Sequence, residues 1–559
     1  MGSFDTDKTG GYSLPVFPYR RAPELDTGTR RYDVVIIGAG LAGLTAAVDL
    51  SLKGVHVVVL DEDDTVGVRG ASSRGICYAQ RTLEIFERFG IAERIHEKGV
   101  SWSVSKTLSG SDVVCVTDLS TDHVSSQPPF INIQQFYVEW FLVDRFDELG
   151  VGEIRWRNKV VDVTAFDQFT RLSVNTPDGD YELEATWVLD AEGANSFVRE
   201  RLGLPVQGER GSDRWCITDV RFKRDVPHER LTWIDAPFNE GRAVWQHKMA
   251  DDVWRLDFQM DPDCDPAEVS REEVAQDRVR QMLGSDTEFE LVWVGPYFYR
   301  TQLMDSFRYK HLIFLGDAAH VKSPFGARGG NSGIQDADNL GWKLSLVLRG
   351  VAGEALLESY DEERRAAAVT NIRITQRSGR FVRPPTRAEN LMRRAAISLA
   401  KCHAFARPLL NTGRLCTAHN YSGMSLIGNS PHDGRSVPSV SLSIDGRRTT
   451  LMNLCSEAGD RLLVILYNVS PSPDLSAQQC QALEAELPVL FYRIGKRLGE
   501  LTFDTADLSG LFGLAKGGAA VLRPDSHLAA VLERPTLPTI RDAVLRALGL
   551  PVAVPSFSE

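Results

Sequence analysis

The sequence has no long apolar run, no closely paired cysteines and no excess of positive charge. No run of about 18 apolar residues occurs among its 559 residues, so we expect neither a membrane-spanning helix nor a membrane partner. The first 30 residues are polar and contain no apolar segment typical of a secretory signal. The net charge of -12 argues against a nucleic-acid partner.

Eight cysteines are scattered along the chain, and none of them forms a C-x-x-C pair. This spacing favours the reduced thiols of a cytoplasmic protein over a disulfide framework, and it predicts no metal site. Hydrophobic residues make up 43% and charged residues 25% of the chain, which is typical of a globular protein with a large core.

A glycine-rich turn follows the first strongly apolar segment. Residues 34–37 read as a parallel strand buried on both faces, and Gly38-x-Gly40-x-x-Gly43 then opens a helix. Gly38 permits the tight turn, Gly40 lets backbone N–H groups approach a pyrophosphate, and Gly43 lets helix and strand pack closely. The segment therefore predicts a dinucleotide-binding βαβ unit.

An acidic residue ends the second strand of this unit. Asp61 stands 23 positions after Gly38, where a carboxylate binds ribose hydroxyls, and Glu62 is the alternative. This motif alone does not distinguish NAD from FAD.

The middle of the chain has the pattern of an antiparallel sheet with one buried face. Trp254, Leu256, Phe258 and Met260 are spaced by two, with polar residues between them. Residues 268–282 interrupt this region with a helical pattern. Long helices are predicted over residues 332–348 and from residue 354 to about residue 380.

A second unusual segment lies between the strand at residues 312–315 and the helix predicted from residue 332. It contains Gly316-Asp317, then Pro324, then Gly329-Gly330-Asn331. Glycine is costly inside a helix and is used where the backbone turns sharply or approaches another group. The segment therefore predicts a close approach of the backbone to a ligand.

Together with the sequence from Asp190 to Arg199, these segments resemble, in order, the flavin-dependent aromatic hydroxylases of the p-hydroxybenzoate hydroxylase type. The resemblance covers about residues 32–390. The larger members, of the phenol hydroxylase and 3-(3-hydroxyphenyl)propionate hydroxylase types, look most similar. The resemblance implies an α/β fold with a Rossmann-like FAD-binding domain of the glutathione-reductase type, an inserted, mostly antiparallel β-sheet substrate domain and a C-terminal thioredoxin-like domain.

The resemblance also implies a set of FAD contacts. Asp317 binds the ribityl chain, and Pro324 with the following glycines lines the isoalloxazine ring. The helix start near Ser332 faces the anionic edge of the ring. The full predicted cofactor-binding set is Gly38, Gly40, Ala42, Gly43, Asp61, Glu62, Arg74, Gln135, Glu192, Gly316, Asp317, Pro324, Gly329, Gly330 and Asn331.

The segment from Asp190 to Arg199 departs from the family's DG motif at one position. Glu192 stands where the family has aspartate, in a segment that the family uses for FAD and for the passing NADPH. One interpretation is that Glu192 keeps the negative charge but places it against different groups. The alternative is that Glu192 is a substitution tolerated at the surface. The motif therefore indicates FAD more strongly than NADPH or NADH.

The reaction implied by the resemblance is aromatic hydroxylation. NAD(P)H reduces FAD, O₂ gives a flavin C4a-hydroperoxide, and its distal oxygen attacks a small aromatic, phenolic substrate. On the sheet, Trp233, Trp245, His247 and Tyr297 are candidate substrate contacts. His247, Tyr297, Tyr299 and Trp245 are candidate catalytic residues, and the alternative for each is a place in the core.

Other functions of the same fold stay open. One is hydroxylation of a polycyclic polyketide-type natural product, another is a non-oxygenating FAD oxidoreductase, and a third is a flavin-binding scaffold. The sequence contains no Trp-x-Trp-x-Ile-Pro segment, which argues against a halogenase.

The C-terminal region resembles the thioredoxin-like domain of the larger members through residues 521–525. Because it has no C-x-x-C pair, we expect structural or dimer-contact work from it, and a homodimer as the assembly. The predicted division is an N-terminal arm (1–30), a discontinuous FAD-binding domain (31–205), a substrate domain (206–305), the completion of the FAD-binding domain (306–430) and the C-terminal domain (431–559).

Overall fold

The computed structural model describes residues 3–5, 14–67, 75–119, 124–223, 229–410, 415–444, 446–467, 475–494, 501–503 and 508–552. Within these ranges, no helix is long and apolar enough to cross a bilayer. A short antiparallel pair, Ser3–Asp5 with Leu14–Val16, precedes the main body.

A mixed sheet forms the centre of the N-terminal half. Its fully buried strand Val57–Leu60 pairs in parallel with Arg30–Ile37, as the apolar runs predict. The strand order is Glu153–Arg155, Val57–Leu60, Arg30–Ile37, Gly179–Asp190, Thr170–Thr176 and Lys159–Ala165. Leu312–Phe314 also pairs in parallel with the end of Gly179–Asp190, and Arg308–Tyr309 pairs with Leu312–Phe314.

Three helices pack together on this sheet. The helix Leu41–Leu52 lies against both Gln135–Leu149 and Arg328–Leu348. The last of these begins at Arg328, four residues before the predicted start at Ser332. Ala327 adopts the left-handed conformation (φ 56°) and ends the preceding loop, so the two glycines that follow lie in the first helical turn.

The remaining helices of the N-terminal part connect these layers. Ala355–Val382 follows the predicted helix closely. The others are Glu24–Thr27, Gln80–Phe89, Ala92–Lys98, Phe197–Arg201, Pro266–Val269, Glu272–Leu283 and Arg387–Cys402, with single 3-10 turns at Pro237–Asn239 and Gly316–Ala318 and a longer one at Ala404–Leu409.

An eight-stranded sheet, called here the substrate sheet, faces the nucleotide-binding part. Only Arg230–Ala236 and Val104–Ser109 pair in parallel within it; the other described pairs are antiparallel. The order is His320–Val321, Phe289–Met304, Val206–Phe222, Val253–Gln259, Arg242–Lys248, Arg230–Ala236, Val104–Ser109 and Asp112–Asp118. A three-stranded sheet, Cys77–Ala79, Phe130–Asn132 and Val100–Trp102, adjoins it through the Asn132 contact to the Lys248 carbonyl.

The two faces of the substrate sheet differ. Leu256 and Phe258 face outward into an apolar core with Val279 of the helix Glu272–Leu283, as their spacing predicts. The opposite, inner face carries Trp215 and Trp245, which pack with Phe325 of the loop before the helix Arg328–Leu348. The inner face therefore looks toward the predicted flavin loop.

The C-terminal part forms a separate four-stranded sheet. Its order is Val489–Ile494, Leu462–Tyr467, Ala519–Leu522 and Leu528–Leu532, with Ala519–Leu522 antiparallel to both neighbours and the first two strands parallel. Ser441–Ile444, Arg447–Thr450 and Leu501–Phe503 form a small accessory sheet. The helices here are Leu451–Ala458, Ala477–Glu486, Leu508–Phe512 and Leu537–Ala547.

Buried charges join this C-terminal part to the rest of the molecule. Both terminal nitrogens of Arg523 donate to Glu363, at 2.5 and 2.8 Å, and Lys343 Nζ donates to the same carboxylate at 2.8 Å. Arg523 also binds Asp525. The side chains of Arg523, Glu363 and Lys343 are fully buried, so each charge depends on its partners.

A second set of ion pairs reinforces the same interface. Arg81 and Arg88 both pair with Asp338, at 2.9 and 2.6 Å. Arg88 also donates to the carbonyl of Pro524 and Arg81 to that of Asp525. The turn at residues 523–526 is therefore held by helices of the N-terminal part.

The variant Glu363→Gln tests this interface, because it removes the carboxylate partner of the buried Lys343 and leaves the buried Arg523 with Asp525 as its remaining carboxylate partner. We expect a loss of about 3 to 5 kcal/mol in the free energy of unfolding measured in urea. Glu486→Gln is the matched control, since Glu486 pairs with Arg541 at the surface and should change stability by less than about 1 kcal/mol. Equal effects of the two variants would contradict the role of the buried network.

The same carboxylate predicts a pH dependence of stability. Burial opposes the ionisation of Glu363, yet Arg523 and Lys343 lower its pKa from 4.5 to about 2. A depressed pKa in the folded state contributes stability above pH 4.5 that is lost as the pH falls toward 2. The wild-type protein should therefore lose more stability in acid than Glu363→Gln, as measured by thermal unfolding across this range.

Candidate functional site

The helix Leu41–Leu52 and the start of the helix Arg328–Leu348 meet at the Gly316 turn. A Cβ atom built on Gly316 would lie 3.1 Å from Ala42 Cβ, and one built on Gly333 would lie 3.2 Å from Gly316 Cα. Gly316 also has φ 56°, a left-handed conformation that favours glycine. The turn, the helix Leu41–Leu52 and the helix Arg328–Leu348 can pack this closely only with small residues at these positions.

The first glycine motif has the close packing that its spacing predicts. Gly38 has φ 101°, and a Cβ there would lie 2.7 Å from the Ala191 carbonyl oxygen. A Cβ on Gly43 would lie 2.0 Å from the Gly38 oxygen, which confirms the tight contact of helix and strand. A Cβ on Gly40 would meet only Glu139 Oε1, at 3.9 Å, among the described residues. The turn is therefore open at Gly40, where a pyrophosphate would approach the helix N-terminus.

Asp61 lies at this turn and helps to shape it. Its Oδ2 accepts from the backbone N–H of Ala39 at 2.6 Å, and its Oδ1 accepts from that of Asp63 at 2.8 Å. Burial raises the pKa of Asp61 to about 6. Glu62 is exposed and pairs with Lys159 at 3.1 Å. Of the two candidate acids, Asp61 is the one in contact with the glycine turn.

Half-buried Gln135 and buried Glu139 form a pair beside the same turn. Gln135 Nε2 donates to Glu139 Oε1 at 2.8 Å, and the backbone N–H of Gly67 donates to Glu139 Oε2 at 2.8 Å. Burial raises the pKa of Glu139 to about 7. Sequence reasoning missed Glu139, although its position four residues after Gln135 puts both on one helix face. The predicted contact Arg74 lies outside the described residues.

Glu192 turns back onto its own segment. Its Oε2 accepts from the backbone N–H of Val198 at 3.0 Å and lies 3.2 Å from Ser196 Oγ. Burial, with a further contribution from Asp190, raises the pKa of Glu192 to about 7. The longer carboxylate thus has a local structural role at the start of the helix Phe197–Arg201.

Arg199 connects the DG-like segment to the Gly316 turn. One terminal nitrogen donates to the Ala318 carbonyl at 2.7 Å and the other to the Ala194 carbonyl at 2.9 Å. The motif includes Arg199, but the sequence pattern predicted no role for it. Its contacts bring the predicted nicotinamide-handling segment and the predicted flavin turn together.

Asp317 is the exposed residue of the turn. It stands between Gly316 and Ala318, which are both buried. Its carboxylate is therefore available to a ligand, whereas the acids around the turn are already bonded to protein groups.

A buried polar network fixes the turn from behind. Asp336 Oδ2 accepts from the backbone N–H of Gly316 at 3.0 Å and lies 2.7 Å from His320 Nε2. Asp336 Oδ1 accepts from Arg364 Nε at 2.7 Å, and Lys322 Nζ lies 2.6 Å from His320 Nδ1. Although burial opposes its charge, His320 and Arg364 hold the pKa of Asp336 below its ordinary value.

The network gives His320 a structural role. Burial, followed by the charge of Lys322, lowers the pKa of the His320 imidazole. Both ring nitrogens are engaged within the network. His320 therefore orients Asp336, and through it the backbone of Gly316.

Asn331, in the first turn of the helix Arg328–Leu348, fastens the start of that helix. Its Oδ1 accepts from the Ala79 N–H at 2.9 Å and from Thr82 Oγ1 at 2.6 Å, and its Nδ2 donates to the Cys77 carbonyl at 2.8 Å. Only the backbone of Asn331 is thus left for a cofactor. A Cβ on Gly329 would meet nothing within 4 Å in the described structure, so the backbone is open there.

Aromatic side chains form a wall next to Phe325, which lies in the loop before the helix Arg328–Leu348. Trp245 meets Phe325 edge to face with ring centroids 5.3 Å apart, and Tyr299 meets Phe325 at 5.6 Å. Trp215 stacks on Trp245 at 4.5 Å, and Tyr297 lies 5.5 Å from Tyr299. Three of the candidate residues, Trp245, Tyr297 and Tyr299, therefore lie together beside Phe325, the residue after Pro324.

The structure places Trp233 away from the other candidate substrate contacts. Trp233 pairs across the strands with Val244 and packs against Phe238, in the apolar core on the outer face of the sheet. Since side chains alternate along a strand, Trp233 and Trp245 fall on opposite faces. His247 stays on the inner face, with its Nε2 3.9 Å from Asp257 Oδ2.

Comparison with known proteins identifies the family. The family described as FAD binding domain matches residues 31–375. A 12-dehydrotetracycline 5-monooxygenase/anhydrotetracycline 6-monooxygenase of Streptomyces rimosus is 30% identical over 376 residues, which cover 65% of this chain and 72% of that protein. A 3-(3-hydroxy-phenyl)propionate/3-hydroxycinnamic acid hydroxylase of Mycolicibacterium smegmatis is 27% identical over 355 residues, covering 64% of this chain and 62% of that protein.

The fold is shared over nearly the whole chain. A flavin-dependent monooxygenase, PieE, solved in complex with FAD and substrate, superposes with a TM-score of 0.77 at 20% identity, covering 93% of this chain and 99% of that one. The chain belongs to the FAD-binding family of flavin-dependent monooxygenases. It is an FAD-dependent aromatic hydroxylase, and the predicted family and cofactor are confirmed.

The variant Asp317→Ala should lower FAD retention, because it removes the exposed carboxylate of the turn. Loss of one charge-assisted hydrogen bond corresponds to about tenfold or more in affinity, measured as flavin absorbance per protein after gel filtration. Asp286→Ala, at an exposed loop carboxylate of the substrate sheet, is the control. Full FAD retention by Asp317→Ala, with circular dichroism unchanged, would contradict the assignment.

Proposed function

We propose that the enzyme uses NAD(P)H and O₂ to add one hydroxyl group to a phenolic ring. One oxygen atom of O₂ is inserted into a C–H bond of the ring, and the other is reduced to water by the hydride of NAD(P)H and one proton. The observation that carries this proposal is the packing of Gly316 between Ala42 and Gly333, which brings two of the three predicted flavin segments together. Arg199 of the third segment joins them by donating to the Ala318 carbonyl at 2.7 Å.

The residues around that point fit FAD. The open turn at Gly40 and the N-terminus of the helix Leu41–Leu52 would hold the pyrophosphate, and Asp317 would hold the ribityl chain. Bound FAD would supply the two-electron chemistry and the activation of O₂. The helix Arg328–Leu348 has its open N–H groups and positive dipole end in the first turn around Gly329, where the negative charge of a bound group would be stabilised.

The aromatic wall would exclude water from the reacting groups. Trp245 and Tyr299 cover Phe325, and both are almost completely buried. A dry site strengthens the electrostatic interactions within it and suppresses hydrolysis of reactive species. Burial lowers the pKa of His247 well below its ordinary value, so its ring stays neutral, and Nδ1 can form a hydrogen bond with a substrate.

A polycyclic natural product is the second candidate substrate. The observation that favours it is the relative from Streptomyces rimosus, whose name gives a tetracycline precursor as substrate. A non-oxygenating FAD oxidoreductase is the other alternative. Its product would contain no oxygen atom from O₂, which distinguishes it from both hydroxylases.

We further propose that the C-terminal part is thioredoxin-like and works without redox chemistry. Its four strands have the order and directions of that fold, with the third strand antiparallel to the others. Burial raises the pKa of Cys455 to about 12, and it also raises the pKa of Cys480. Thiols of this kind are poor nucleophiles, so structural and dimer-contact roles are the better interpretation.

The direct test measures NADPH and NADH oxidation by the purified yellow protein across a panel of phenols and polycyclic phenols. We expect a subset to accelerate oxidation and to gain one oxygen atom, detected by mass spectrometry. Oxidation without any oxygenated product would favour the non-oxygenating alternative. No acceleration by any compound would contradict the proposal.

The two tryptophans on opposite faces of the sheet provide a matched test of the aromatic wall. Trp245→Leu should admit water and raise the hydrogen peroxide released per NAD(P)H several-fold, because the wall beside Phe325 is opened. Trp233→Leu removes a similar volume from the outer core and should leave the coupling ratio unchanged. Equal uncoupling by both variants would assign the effect to general destabilisation.

A further inference from the structure

The inner face of the substrate sheet carries buried polar atoms that the described structure leaves without a hydrogen-bond partner. They come from four strands that lie side by side in the sheet. They are Trp215 Nε1, Arg230 Nε, Trp245 Nε1, His247 Nδ1, Asp257 Oδ1 and Gln259 Nε2, called here the inner polar cluster.

The strand register places these groups next to one another. Trp245 lies directly opposite Asp257, and Trp215 lies directly opposite Gln259. His247 is opposite Arg255, and its Nε2 lies 3.9 Å from Asp257 Oδ2. Directly opposite side chains in a sheet are separated by about 5 Å, so a single ligand can reach several members.

A neighbouring ion pair does not satisfy the cluster. Arg255 donates from Nε and from a terminal nitrogen to the two oxygens of Asp219, each at 2.8 Å. That arrangement is geometrically complete and draws the guanidinium toward Asp219. Asp257 Oδ1 therefore keeps an open acceptor position although a cation stands beside it.

The six atoms of the inner polar cluster lie buried on one face of the sheet without hydrogen-bond partners in the described part of the chain. Buried polar atoms in native proteins are nearly always hydrogen-bonded, and each exception costs free energy. Among the described residues, the outer face of the same strands instead carries the apolar core of Val244, Leu256 and Phe258. The inner polar cluster thus has the features of a surface whose partner is a ligand.

The atoms also define the chemistry of that ligand. Trp215, Trp245, Gln259 and Arg230 offer N–H donors, His247 Nδ1 can donate or accept, and Asp257 in its ionised form can only accept. A complementary ligand carries oxygen acceptors opposite the N–H groups and a hydroxyl group opposite the carboxylate.

We propose that the inner polar cluster selects an aromatic substrate carrying both a hydroxyl group and a carbonyl or carboxylate oxygen. The hydroxyl group donates to Asp257, and the second oxygen accepts from Arg230. The inference rests on the proposed function, since it concerns the substrate of that site. It assigns specificity to residues outside the flavin motifs.

The test measures binding to the oxidised, FAD-loaded enzyme by the change in flavin absorbance, with no reductant present. Three probes share one ring skeleton: a hydroxyanthraquinone, the hydroxyanthracene without carbonyl groups, and the anthraquinone without the hydroxyl group. We expect the hydroxyanthraquinone to bind about tenfold to a hundredfold more tightly than either of the others, as charge-assisted hydrogen bonds predict.

Two variants separate the two contacts. Arg230→Met should abolish the preference for the hydroxyanthraquinone over the hydroxyanthracene, and Asp257→Asn should abolish its preference over the anthraquinone. Arg221→Met, which removes an exposed guanidinium paired with Glu290 on the same sheet, should leave both preferences intact. Should Asp257→Asn fail to fold, Arg230→Met and the wild-type comparison still decide the outcome.

Equal affinity of the wild-type enzyme for the three probes, or failure to bind any of them, would overturn the inference. So would a uniform weakening of all three probes by Arg230→Met, because a structural defect does not discriminate between ligands. The proposed function fails separately. Discrimination among the probes without phenol-stimulated NAD(P)H oxidation would overturn the oxygenase reaction and leave the selectivity standing.

Discussion

The flavin turn depends on one buried carboxylate. Asp336 holds the backbone N–H of Gly316 and is itself held by His320 and Arg364. A carboxylate in such a place is stable only while its cationic and hydrogen-bonding partners are present. This anchoring fixes the Gly316 turn, its contact with Ala42 and the exposed position of Asp317. Residues that do not contact the cofactor can therefore determine the shape of its site.

The helix Arg328–Leu348 connects the Gly316 turn to the interface with the C-terminal part. Its first turn faces the flavin loop, Asp336 fixes the Gly316 turn, and Asp338 and Lys343 reach the charges that hold the C-terminal part. Two acids only two residues apart on this helix therefore serve different ends of the protein. The helix carries an unusual number of buried polar residues because almost every side of it meets a functional or interdomain contact.

Much of the fold and of the cofactor site could be predicted from local pattern. Gly38, Gly43 and Gly316 require glycine for reasons that a short segment reveals, and the fold around them has the predicted form. The side of the sheet on which Trp233 lies could not be found, because a single-residue shift reverses every side chain. Glu139, Arg199 and the partners of Asp336 were missed or left without a role, since their contacts join segments distant in sequence. The strand Val489–Ile494 was also missed, being only partly buried and lacking a clean alternation.

The buried ion pairs at the C-terminal interface have a consequence for how the protein can be divided. Arg81, Arg88, Lys343 and Glu363 belong to the FAD-binding part, yet their charges are compensated in part by the turn at residues 523–526. Cutting the chain before that turn would remove the carbonyl groups that accept from Arg81 and Arg88 and the Arg523 partner of Glu363. The C-terminal part thus completes a buried interface of the FAD-binding part. We expect the C-terminal part and the FAD-binding part to unfold in one cooperative transition.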